Sequence, residues 1–69
     1  MMDLYETFIT VVESSSLSEA SRKLHTSQPN VTLRIQKLEK DLDIVLFDRE
    51  GKKLILNPSG SKLYEQAKN

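Results

Sequence analysis

The sequence predicts a small, mainly helical domain: a three-helix core, a two-stranded β-hairpin and the start of a fourth helix. Three observations predict it. Apolar residues recur at helical spacing in three segments before residue 43. The second and third segments are joined only by His25-Thr26-Ser27, too short a link for anything but a tight turn. After them, two short apolar runs flank a charged tip that contains Gly51, which is the pattern of a hairpin.

The first segment runs from Met2 to about Ser14. Leu4, Phe8, Val11 and Val12 fall on one helical face, widened by Tyr5 and Ile9, with no Gly or Pro to interrupt it. Ser14-Ser15-Ser16 ends this helix, because serine side chains compete for backbone hydrogen bonds. Ser16-Leu17-Ser18-Glu19 then fits a capping box, with Glu19 expected to reach back to the Ser16 N–H. The short second helix extends to about Leu24 and is expected to bury Leu17, Ala20 and Leu24. Ala20 and Ser21 are small enough to let another helix cross closely.

The third helix is expected over about 28–42. Ser27 is a good N-cap, and Pro29 sits in the first turn, where its missing N–H breaks no intrahelical bond. Val31, Ile35, Leu38 and Leu42 draw a single apolar stripe. At about 100° per residue, Pro29, Leu33, Gln36 and Lys40 point away from the stripe, with Thr32 and Lys37 beside them. That outer face is polar and basic, and it carries one leucine the core does not need. Such a helix suits a nucleic-acid groove.

Ile44-Val45-Leu46-Phe47 is too short for another helix, and Leu46 and Phe47 are expected to plug the core below the third one. The hairpin over about 47–56 has the position of a wing, armed by Arg49, Lys52 and Lys53. A solvated charged turn is the alternative, since Asp48 and Glu50 leave a local surplus of only one positive charge. Asn57 as N-cap and Pro58 at the first helical position open the last helix. Leu63, Tyr64 and Ala67 line one side of it and are candidates for a dimer interface.

Size and charge narrow the function. Sixty-nine residues make one domain near the lower limit for a self-sufficient core. With no cysteine and a single histidine, His25, no disulfide, metal site or cofactor is expected. No apolar run approaches the length of a membrane span and the N-terminus lacks the layout of a signal peptide, so the expected location is cytoplasmic. The formal net charge is zero, but residues 1–21 hold four acids and no base, while residues 22–69 hold all ten bases against six acids. Segregated charge makes one face attractive to phosphate even when the sum vanishes. No Gly-rich phosphate loop, activated nucleophile or paired-carboxylate site stands out, so no enzymatic activity is expected. Glu13 and Glu39 read as cap or ion-pair partners.

Taken together, Phe8, Val11, Glu13, Ser16-Leu17, Ala20, Leu24, Ser27-Gln28-Pro29, Val31-Thr32, Ile35, Leu38-Glu39, Leu42, Leu46-Phe47, Arg49 and Gly60 resemble the N-terminal domain of LysR-type transcriptional regulators. The order and spacing match without a gap along essentially the whole chain. The resemblance implies a winged helix-turn-helix, residues 1–57, whose third helix enters the major groove of double-stranded DNA. It implies that residues 58–69 begin a linker helix pairing two subunits, with higher oligomers in the full-length protein. A small-molecule effector would act only through a further C-terminal domain. Carried over residue by residue, Ser27, Gln28, Pro29, Thr32 and Leu33 take base-proximal positions, to which the periodicity adds Gln36. Arg34 and Lys37 take flanking positions that meet phosphate, and Arg49 matches the wing arginine.

Three residues depart from the family pattern. Leu33 stands where many members carry arginine, which removes a bidentate contact to guanine. Asp43 stands where many have glycine, the easiest residue for a left-handed helix end. Asn30 replaces a frequent alanine and adds a polar group near the groove. The zero net charge and Leu33 together also leave open a protein-binding winged-helix module.

Overall fold

The computed structural model describes residues 3–51 and 53–68. In chain order its elements are α1 (Leu4–Glu13), α2 (Leu17–Lys23), α3 (Gln28–Leu42), β1 (Phe47–Glu50), β2 (Lys53–Leu56) and α4 (Pro58–Lys68). α2, a short turn and α3 form the helix-turn-helix, and the antiparallel β1–β2 hairpin is the wing. The architecture is the winged helix-turn-helix expected from the sequence.

Each helix opens on a side-chain acceptor for an orphan backbone N–H. Asp3 accepts from the Tyr5 N–H at 2.9 Å, Ser16 from Glu19 at 3.0 Å, Ser27 from Asn30 at 3.3 Å and the Asn57 amide oxygen from Gly60 at 2.8 Å. Two expectations shift here. Asp3 has extended backbone angles and caps the first helix, so the helix starts at Leu4 rather than at Met2, which lies outside the described residues. Glu19 reaches one residue further back than a capping box requires, accepting from the Ser15 N–H at 3.0 Å and the Ser15 hydroxyl at 3.2 Å.

α2 and α3 end alike. Thr26 N–H reaches Ser21 O at 3.0 Å and His25 N–H reaches Arg22 O at 3.2 Å; Ile44 N–H reaches Glu39 O at 3.1 Å and Asp43 N–H reaches Lys40 O at 3.2 Å. These are paired Schellman closures, and each puts a non-glycine residue, His25 or Asp43, at φ 55°. A left-handed conformation costs an L-residue about 1–2 kcal/mol, somewhat less for Asp, while glycine brings extra unfolded-chain entropy. Asp43→Gly is therefore expected to stabilise the domain by about 0.5–1 kcal/mol, read as a rise of a few degrees in Tm. An unchanged or lower Tm would contradict the strained cap.

The core joins Phe8 of α1 to Ile35 and Leu38 of α3 and to Leu46 and Phe47 at the wing's entrance. The Phe8 and Phe47 rings meet edge to face at 5.7 Å. Val31, Ala20 and Leu24 are also buried, while Leu17 and Leu42 are only half-buried. Thr7, on the same face of α1 as Phe8, is fully buried; its hydroxyl donates to the Asp3 carbonyl at 3.3 Å. Glu39 is the clamp between helix and wing: one carboxylate oxygen accepts the N–H groups of Leu46 at 2.7 Å and Phe47 at 3.3 Å. Glu13 accepts from the Tyr64 hydroxyl at 2.6 Å, tying α1 to α4. That neighbouring carboxylate holds the Tyr64 phenol above its ordinary range.

Candidate nucleic-acid interface

The core fixes which way α3 faces. Val31, Ile35 and Leu38 are buried, so the opposite side must meet solvent. There Gln28, Pro29, Asn30, Leu33, Gln36, Lys37 and Lys40 are exposed, and Thr32 and Arg34 are half-buried at its edges. Leu33 is 61% exposed, the most exposed large apolar side chain of the described residues. Ser27, the N-cap, is exposed at the helix's leading end.

Hydrogen bonds at that end discriminate among the expected site residues. The Ser27 hydroxyl oxygen is engaged by the Asn30 N–H, which leaves its proton for an outside acceptor. The Asn30 side-chain amide donates to the Thr26 hydroxyl at 3.0 Å. Lys37 is paired with Asp41 at 3.5 Å in the open, a contact of about 0.2–1 kcal/mol that a phosphate could displace.

The hairpin register decides where the wing's charges go. Phe47 pairs with Leu56 and Arg49 with Leu54, so these four share one face of the ribbon; Asp48 and Ile55, Glu50 and Lys53 share the other. Arg49 consequently lines a small cleft of about 40 Å³ with Thr32, Gln36 and Glu39 of α3. Lys53 lines a different groove of about 410 Å³, across from Gln28 and the Ser14–Ser18 turn. The sequence grouped Arg49, Lys52 and Lys53 together. The structure brings Arg49 beside Thr32 and Gln36, two residues expected near bases, and sends Lys53 to the helix's leading end. Lys52 lies outside the described residues. Gly51, at φ 63°, makes the tip.

Sequence reasoning missed the serine turn as a wall of the groove that Lys53 lines. Ser15, Ser16 and Ser18 read only as a helix break and a cap, yet they line the groove with Gln28 and Lys53. The signal was the density of hydroxyls; their partner across the groove was set by the wing and could not be seen locally. His25, in its exposed left-handed turn, lies with no second histidine in the chain, and the described residues contain no group of three or more potential metal ligands. Leu63, Tyr64 and Ala67 of α4 are half-buried, the first two packed on the core. No helix of the described residues is long and apolar enough to cross a membrane.

Comparison with known proteins agrees with this arrangement. A family model described as a bacterial regulatory helix-turn-helix protein of the lysR family matches residues 2–61. The HTH-type transcriptional regulator CysL of Bacillus subtilis (strain 168) is 42% identical over 66 residues, covering 96% of this chain and 22% of CysL. The chain thus spans about a fifth of the length of the first curated relatives it matches, which are named as transcriptional regulators rather than enzymes. Among solved structures, a CbnR DBD–DNA complex superposes with a TM-score of 0.85 at 35% identity, covering 97% of this chain and 79% of that one. The BenM DBD/catB site 1 DNA complex gives 0.83 at 35% identity, covering 96% and 73%. The chain belongs to the lysR family of bacterial regulatory helix-turn-helix proteins.

Proposed function

We propose that this chain is the sequence-reading module of a transcription regulator, binding double-stranded DNA with α3 in the major groove and the wing against the backbone or minor groove. The observation that carries this reading is the exposed face of α3, polar and basic around Leu33, with Arg49 held against its Thr32–Gln36 edge. Ser27, Gln28, Pro29, Thr32, Leu33 and Gln36 are the base-proximal set. Phosphate contacts are assigned to Arg34, Lys37, Arg49, Lys52 and Lys53. Lys and Arg supply affinity, and the base-proximal side chains supply discrimination.

α4, Pro58–Lys68, begins the linker helix, and the half-buried Leu63, Tyr64 and Ala67 keep part of their surface for a second copy. A homodimer of this kind sets two copies of α3 about one DNA turn apart on a pseudo-palindromic site. The working location is the cytoplasm, where bacterial DNA is.

Titration of duplex DNA at increasing salt tests the reading. Affinity should fall linearly on a log–log plot, with a slope of about −0.9 for each phosphate contact. Arg34→Ala or Lys37→Ala should reduce that slope by about 1 and weaken binding to every sequence alike. Salt-independent binding, or none at low salt, would favour a protein-binding module, the reading that exposed Leu33 and the zero net charge also permit.

A further inference from the structure

Asn30 carries a polar group held by a hydrogen bond that capping does not explain. It is the third residue of α3, exposed, and about 60° round the helix from Leu33 on the side of Arg34 and Lys37. Its amide nitrogen donates to the Thr26 hydroxyl at 3.0 Å. In α2 the corresponding third residue, Glu19, also reaches back to the residue before the cap, but as an acceptor that satisfies the Ser15 N–H. An amide nitrogen is a donor and can satisfy no orphan N–H. The Thr26 bond therefore orients the side chain without capping the helix.

The orientation has a chemical consequence. The amide nitrogen carries two hydrogens, and the bond to Thr26 uses one. That leaves one N–H and the amide oxygen, a donor and an acceptor in the one amide plane of an exposed residue. That pair matches N7 and the N6 amino group on the major-groove edge of adenine. With its rotation already restricted, the amide loses less entropy on binding than a free one.

We propose that Asn30, held by Thr26, is a specificity-determining residue that reads adenine at the base neighbouring the one facing Leu33. This rests on the DNA-reading function above and names a contact outside the base-proximal set. The test is selection of binding sites from a randomised duplex pool by the chain, by Asn30→Ala and by Thr26→Val, with helix content checked by circular dichroism. The native chain should enrich adenine at one position per half-site. Asn30→Ala should lose that enrichment alone, with affinity for the selected site falling about 5- to 150-fold and affinity for random duplex unchanged. Thr26→Val should broaden the preference at the same position. Identical base preferences from the native chain and Asn30→Ala would overturn the proposal while leaving DNA reading intact. An unchanged preference in Thr26→Val would overturn the pinned geometry. A native chain that selects no sequence removes the DNA reading and this inference with it.

Discussion

Gly60→Ala is expected to lower the Tm of the domain by more than about 10 °C, although alanine is the better helix former by about 1 kcal/mol. Gly60 is buried in the first turn of α4. A Cβ there would collide with the Leu46 carbonyl oxygen and sit 2.5 Å from a Leu56 methyl carbon. The methyl can turn aside; the carbonyl cannot. Leu46 O accepts the Asn57 N–H at 3.0 Å, and the Asn57 side chain donates to Val45 O at 2.8 Å while accepting from Gly60. Moving α4 away from Leu46 therefore breaks the bonds that start the helix. Overpacking of this kind costs about 1–3 kcal/mol, more where backbone must shift. A domain of this size holds only about 3–10 kcal/mol in all. Thermal melts of the two proteins decide the sign. A variant as stable as the native chain, or more so, would show that α4 does not lie this close to Leu46.

The same small region marks where the sequence was legible. Asn57 and Pro58 announced a helix start because capping is local chemistry, written within four residues. The Asn57 bond to Val45, twelve residues back, has no local signature. Glu39 behaves likewise. Its place on α3 was clear, but its two bonds to Leu46 and Phe47 exist only because the chain turns back at Asp43. Thr7 carries no apolar signature, though it is buried beside Phe8 and its hydroxyl donates to the carbonyl of the N-cap Asp3. For the site, periodicity was enough to separate the buried and exposed sides of α3. It could not divide the wing's cations. That division comes from the hairpin register, which puts Arg49 on the Phe47 face and Lys53 on the Ile55 face.

Replacing Leu33 with arginine is expected to exchange one base preference for another, a change in two contacts at once. Leu33 lies opposite the buried stripe of Val31, Ile35 and Leu38 and is 61% exposed, so it contributes little to the core. Single exposed leucines are common on protein surfaces and need no function. This one, however, occupies the middle of the face that the proposed function turns toward bases. The only apolar group that a base edge offers in the major groove is the thymine methyl. A half-site with T facing Leu33 is therefore expected. Arginine at that place presents paired donors that fit the O6 and N7 of guanine, a contact of about 1–3 kcal/mol. Leu33→Arg should select G where the native chain selects T, with the remaining positions of the half-site unchanged. Stability should move little, because the side chain leaves no cavity behind. Parallel site selections with both proteins provide the measurement. The same base at that position from both proteins would return Leu33 to the ordinary solvent-facing surface.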